Sequence, residues 1–248
     1  ENAWEIVLRH DLAPAGAHLT GVELDPITAA IAAHIYPDAT IRAESFAETR
    51  YPRDYFDLTI GNVPFADVRL HDPAHNPNGR LAMHNHFIAK SLDLTRPGGL
   101  VAVLTSHYTM DATNPEARRL FNERADLVGA VRLPSGAHRR AAGTEALTDL
   151  LILRVREPGA EPRDRSWEDT AELDGPTRIR VNRYFVDHPE HVLGEMRVAV
   201  GMYGVEGLEV VGAGDITEQL RATLGGVVER AHQDGLGLPE RDFYFNPE

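Results

Sequence analysis

The chain has 248 residues, of which 42% are hydrophobic and 25% are charged, and this composition is typical of a globular protein. It contains no cysteine, which excludes a disulfide scaffold, a thiolate nucleophile and a cysteine-bound metal. No run of about 18 apolar residues occurs, so we expect no transmembrane helix, and the lack of cysteine fits a cytoplasmic protein. Because the chain begins at Glu1 without a signal-peptide pattern, we expect an internal fragment of a longer protein.

The charged residues are distributed unevenly along the chain. The net charge of −13 argues against a histone-like, non-specific nucleic-acid binder. Residues 61–156 carry 12 basic and 9 acidic side chains, whereas the rest of the chain carries 13 basic and 29 acidic side chains. If nucleic acid binds, we therefore expect it to contact the middle of the chain.

The first half of the chain predicts alternating helices and strands. Asp25 followed by Pro26 is a favoured start for a helix, and Pro37 is expected to end that helix. The other predicted elements are a helix at 2–9 and strands at 18–23 and 56–61.

The next part of the chain continues this alternation. The run 100–105 is apolar throughout, which is typical of a central parallel strand. Helices are predicted at 86–95 and 115–125, and strands at 127–133 and 149–155. The pattern predicts an α/β domain over residues 1–157, with a mostly parallel sheet covered by helices on both faces.

The composition changes after this domain. Residues 158–176 are rich in Pro, Gly and charged side chains, which favours a linker. Residues 177–248 predict a small α+β extension with strands at 179–186 and 208–211. Asp215 and Glu218 form a capping pattern for a helix that reaches about residue 231.

The segment around Asn62 has the features of a catalytic turn. An apolar strand delivers Asn62 to its carboxyl end, where open α/β sheets place their ligands. Two acceptors, the Asn62 amide oxygen and the Val63 carbonyl, can draw an exocyclic amine towards tetrahedral geometry. Pro64 stiffens the turn, and Phe65 offers a flat face for a base. The same four residues also suit an ordinary strand-ending turn.

These four residues carry a resemblance. Asn62-Val63-Pro64-Phe65 resembles the catalytic Asn-Pro-Pro-Phe/Tyr motif of the N6-adenine DNA methyltransferases, with Val63 in place of the first proline. The similarity covers roughly residues 17–157 and looks closest to methylases linked to helicase, phage-defence or restriction-modification proteins. It implies a Rossmann-like methyltransferase fold, S-adenosylmethionine as cofactor and double-stranded DNA as partner. A helicase or another defence domain is a further expected partner.

The resemblance also implies which residues bind the cofactor. The segment 21–26 looks like the motif in which an acidic residue holds the cofactor ribose, here Glu23, followed by Leu24. Glu44, Ser45 and Phe46 stand where the family places an acidic and an aromatic residue beside the cofactor adenine.

The glycine-rich turn that holds the methionine end of the cofactor in this family has no counterpart here. No Gly-x-Gly sequence precedes Gly21. Either a segment is missing between about His10 and Asp11, or this copy has lost the turn. We favour a missing segment, because Glu23 and Asn62 are both in place.

Three basic or histidine residues are candidates for DNA contact. Arg139 and Arg140 are expected near the pocket that receives the target base, where they can bind DNA phosphates. A polar loop rich in His, Asn and Pro is predicted from Asp67 to about His84, directly after the catalytic turn. His84 stands at the end of this loop. No metal site is predicted, because the histidines lack cysteine or carboxylate partners at ligand spacing.

The sequence thus predicts a DNA adenine-N6 methyltransferase that extrudes its target base from the duplex. Two alternatives stay open. One is a methyltransferase acting on RNA or on a protein amide, and the other is a non-catalytic methylase-like module that positions DNA or a helicase.

Overall fold

The structure is a computed structural model that describes residues 17–64, 68–137, 146–173, 178–200 and 206–236. The predicted helix at 2–9, Phe65, Arg139 and Arg140 lie outside these residues. The described chain opens with a small parallel sheet and one helix. Its elements are β1 (Thr20–Glu23), α1 (Pro26–Ile35) and β2 (Thr40–Ala43). Asp25 caps α1 as predicted, since its carboxylate accepts hydrogen bonds from the amides of Ile27 and Thr28.

A four-stranded sheet forms the centre of the described chain. Its strands are β3 (Phe56–Asn62), β4 (Thr95–Ser106), β5 (Ala125–Arg132) and β6 (Thr148–Val155), in the order β3-β4-β6-β5. β3 and β4 are parallel, whereas β6 runs antiparallel to both of its neighbours. The expectation of a mostly parallel sheet is therefore wrong here, because β6 inserts between β4 and β5 in the opposite direction.

Helices cover both faces of this sheet. The first three are α2 (Met83–Leu94), α3 (Tyr108–Asp111) and α4 (Glu116–Asn122). Side chains alternate along β4, so that Val103 belongs to one buried cluster, with Phe87 of α2. Leu104 packs against the other cluster, beside Leu220. The prediction of helices on both faces is thus confirmed.

The remaining elements follow the four-stranded sheet in the chain. They are β7 (Thr170–Glu172), β8 (Arg180–Asn182), α5 (Arg183–Asp187), β9 (Glu195–Val200), β10 (Glu206–Val211) and α6 (Ile216–Gln233). Trp167, inside the predicted linker, is buried in the main core. The predicted strand at 179–186 ends early, because the Asn182 side chain accepts from the Tyr184 amide and begins α5.

The first part of the described chain leaves apolar side chains uncovered. On β3, Leu58 is 47% exposed and Ile60 is 40% exposed. Ile27, Ile31 and Ile35 follow at four-residue spacing on α1 and are also exposed. Within the described residues, β3 pairs only with β4, and β1 pairs only with β2. This part of the molecule therefore has open strand edges next to exposed apolar surface.

Among the described residues, no helix combines enough length with enough hydrophobicity to cross a lipid bilayer.

Candidate active site

The predicted catalytic turn lies at the carboxyl end of β3. Asn62 is the last residue of this strand, and its side chain is exposed. The next residue is anchored, because the Val63 amide donates to the Leu104 carbonyl at 2.9 Å and the Val63 side chain is buried in the core. Pro64 is half-buried. The packing of Val63 thus fixes the backbone of the turn and leaves the Asn62 amide accessible.

A histidine and a tyrosine follow the neighbouring strand, β4. The His107 backbone amide and ring Nδ1 both donate to the Leu147 carbonyl, at 3.1 Å and 3.2 Å. The ring of Tyr108 lies on the His107 ring, with 4.1 Å between the ring centroids. Tyr108 is nevertheless 62% exposed.

Two histidines near this edge have a pKa below the usual value for histidine. Burial lowers the pKa of His84, on the first turn of α2, and the nearby His107 lowers it further. Burial also lowers the pKa of His107, and this effect outweighs the opposite influence of Asp111 and Asp149. The surroundings of both rings therefore favour the neutral form. The contact of His84 with DNA stays a prediction.

The predicted ribose-binding residue lies at the end of β1. Glu23 is 5% exposed, and one carboxylate oxygen, Oε1, accepts from the Asp25 amide at 2.9 Å. The other oxygen, Oε2, is buried and has no hydrogen-bond partner among the described residues. Leu24, the next residue, is exposed. A buried, unpaired carboxylate oxygen is costly unless a donor reaches it, so Glu23 fits a ligand with hydroxyl groups such as a ribose.

The predicted adenine-side residues form the segment that follows β2. The Glu44 carboxylate accepts from Arg42 at 3.4 Å, and Ser45 is half-buried. The Phe46 ring packs on the Phe87 ring of α2 at 4.9 Å between centroids. The structure thus ties this segment to α2, the helix that also carries His84.

Lys90 joins this segment to the loop after the catalytic turn. It is fully buried, and its Nζ donates to the carbonyls of Phe46 and Thr49, at 2.5 Å and 3.0 Å, and to Asp72 at 2.9 Å. Burial alone would raise the pKa of Asp72, but hydrogen bonds from Lys90 and the Ala74 amide lower it to about 2. The sequence reasoning missed Lys90, although it is the chain's one lysine among 25 basic residues.

In the ranges that the structure covers, no group of three or more His, Asp and Glu side chains is placed to hold a metal ion.

Comparisons with known proteins begin with sequence. No protein-family model matches the chain. Over 148 residues the chain is 28% identical to Defense against restriction protein B of Escherichia phage P1. That match covers 57% of this chain and 6% of the phage protein, so the chain spans only a small part of that relative's length.

Solved structures resemble more of the chain. One solved structure comes from work on complex assembly and conformational transition of the type I restriction-modification system. It has a TM-score of 0.52 and 15% identity to this chain. The match covers 88% of this chain and 40% of that chain. The EcoKI M protein of a type I restriction enzyme has a TM-score of 0.48 and 14% identity. That match covers 95% of this chain and 64% of the M protein. The predicted fold class, a Rossmann-like α/β sheet with helices on both faces, is confirmed.

Proposed function

We propose that this chain is the methyltransferase part of a DNA adenine-N6 methyltransferase that uses S-adenosylmethionine. One observation carries the proposal: an exposed Asn62 amide ends β3, and the buried Val63 fixes the turn behind it. This arrangement offers two oxygen acceptors at the edge of the sheet where α/β proteins bind their ligands.

The two acceptors have a defined task in this reaction. The Asn62 amide oxygen accepts a hydrogen bond from one N–H of the adenine amine, and the Val63 carbonyl accepts a hydrogen bond from the other. The two hydrogen bonds localise the lone pair on the nitrogen, which makes it a better nucleophile. Preorganised groups of this kind act without a titrating base. Phe65, by its place in the motif, is proposed to stack on the base.

The cofactor assignment rests on Glu23. Its unpaired Oε2 can accept a hydrogen bond from a ribose hydroxyl, while Oε1 stays paired with the Asp25 amide. Leu24 and the segment Glu44–Phe46 are proposed to line the adenine side. When bound, S-adenosylmethionine supplies a methyl group made electrophilic by a positively charged sulfur.

The comparisons supply the support for DNA as the substrate. The names of the phage protein and of the type I system both refer to restriction, a process that acts on DNA. We therefore propose double-stranded DNA as partner, with Arg139 and Arg140 on its phosphates and His84 beside it. A helicase or another domain of a restriction-modification or phage-defence protein is the proposed neighbour, by the resemblance of the sequence.

The test is Asn62→Ala in the complete natural protein. We expect labelled methyl transfer to DNA to fall by about 10²–10³, because one of two acceptors is lost. Asn114→Ala, at another exposed asparagine, is the matched control. Unchanged transfer by Asn62→Ala contradicts the proposed role. A complete protein that transfers no methyl group favours the non-catalytic module.

A further inference from the structure

An exposed aromatic side chain at the end of β4 has no role in the proposed function so far. Tyr108 is the first residue of α3 and is 62% exposed. A large ring that stays exposed does not contribute the stabilisation that its burial would give. Such a position therefore suits contact with another molecule.

The tyrosine stands on a rigid support. Its ring lies on His107, and both the backbone and the ring of His107 are bonded to the Leu147 carbonyl. The Tyr108 amide also approaches the Ser106 hydroxyl at 3.4 Å. The ring is therefore held at the end of β4 without being covered, and a ligand would pay little entropy to use it.

The same edge of the sheet holds the catalytic turn. β3 and β4 are parallel neighbours, and Asn62 lies opposite Leu104. The Val63 amide donates to the Leu104 carbonyl, so both strands end side by side. Tyr108 follows Leu104 by four residues and thus flanks the turn on the β4 side.

In the part of the chain that the structure describes, the acidic residue of α3 is paired and the histidines at this edge have a lowered pKa. Burial lowers the pKa of both His84 and His107, which favours the neutral form of each ring. Asp111, on the same helix, forms an ion pair with Arg132 at 2.9 Å, and Arg132 also binds Asp149. A neutral aromatic surface suits the face of a nucleobase better than a phosphate.

From these observations we infer that Tyr108 is a stacking platform for the nucleobase that Asn62 receives, on the β4 side of the catalytic turn. The inference rests on the proposed function, because it needs a nucleic-acid base at this edge. It adds a base-binding residue outside the Asn62–Phe65 motif.

The experiment compares Tyr108→Ala and Tyr108→Phe in the 248-residue chain. The probes are a short single-stranded oligodeoxyadenylate and an abasic oligonucleotide of the same length, and fluorescence anisotropy gives the Kd for each. Tyr55→Ala is the matched control, since Tyr55 is 57% exposed but precedes β3 at its opposite end.

We expect Tyr108→Ala to weaken binding of the oligodeoxyadenylate by about 5- to 160-fold, the loss of one stacked base. Tyr108→Phe and Tyr55→Ala should bind like the unaltered chain, and abasic binding should not change in any variant. Equal binding by Tyr108→Ala and the unaltered chain overturns the platform and leaves the proposed function standing. If the unaltered chain binds both probes equally, base recognition fails, and the proposed function fails with it.

Discussion

Lys90 shows how one residue can join several parts of this molecule. Its buried ammonium group bonds to carbonyls in the segment after β2 and to Asp72 in the loop after the catalytic turn. His86 Nε2 also approaches Asp72, at 3.2 Å. Because the ion pair is fully buried, removing one partner leaves the other charge without compensation.

We predict that Lys90→Met lowers the free energy of unfolding by about 3–5 kcal/mol. Urea denaturation followed by circular dichroism measures the loss. Replacing both partners, as Lys90→Met with Asp72→Leu, should recover part of the lost stability, since no unpaired charge remains, although the Ala74 amide and His86 Nε2 lose their acceptor.

Arg53 supplies the control, because its ion pair with Asp93 is on the surface, at 3.6 Å, and Arg53→Met should cost less than about 1 kcal/mol. If Lys90→Met costs no more than Arg53→Met, the buried pair does not hold these segments together.

At the scale of elements, two adjacent strands differ in what covers them. Val101 and Val103 of β4 are fully buried, whereas Leu58 and Ile60 of β3 are largely exposed. Both strands have apolar sequences, so composition does not separate them. The difference arises partly because the two pairs lie on opposite faces, since Leu58 and Ile60 pair with Leu100 and Ala102 and not with Val101 and Val103. In addition, β4 lies between two strands, whereas β3, within the described residues, has a neighbour on one side only.

This difference predicts unequal effects of the same type of substitution. In the 248-residue chain, Leu58→Thr and Ile60→Thr should each change the free energy of unfolding by about 0.5 kcal/mol or less. Val103→Thr should cost about 1–3 kcal/mol, because it buries a hydroxyl group without a partner. Urea titrations compare the three variants. Equal losses in β3 and β4 would mean that the β3 face is covered in solution.

At the scale of the whole molecule, the candidate site draws on two separate sheets. Glu23 ends β1 in the parallel pair, and Asn62 ends β3 in the four-stranded sheet. Residues 17–64 contain Gly21 and Gly61 but no glycine-rich turn between a strand and a helix. Among the described residues, the proposed ribose acceptor, Glu23, therefore stands without a glycine-rich turn that could wrap the methionine end.

We predict that the 248-residue chain binds S-adenosylmethionine weakly or not at all, and that the complete natural protein binds it. In the complete protein, Glu23→Ala should weaken binding by about tenfold or more, through lost hydrogen bonds to a charged acceptor. Isothermal calorimetry on both proteins measures this, with the exposed Glu161→Ala as control.

Two results would contradict that prediction in different ways. Tight binding by the 248-residue chain would show that the cofactor site is misplaced. No binding by the complete protein would favour the non-catalytic module.

Local features of this protein were predictable from the sequence. The Asp25–Pro26 helix start, the apolar strand before Asn62 and the Asp215 cap of α6 each depend on neighbours within a few residues, and the structure confirms all three. The alternation of strands and helices predicted the fold class for the same reason.

Other features depend on contacts between distant parts of the chain, and only the tertiary structure decided them. Lys90 reaches a carbonyl 44 residues away, and His107 reaches one 40 residues away. The direction of β6 and the exposure of Tyr108 after β4, the strand that pairs with β3, likewise depend on which segments become neighbours. A sequence pattern specifies local backbone preference, but burial and charge pairing arise only when distant segments pack together.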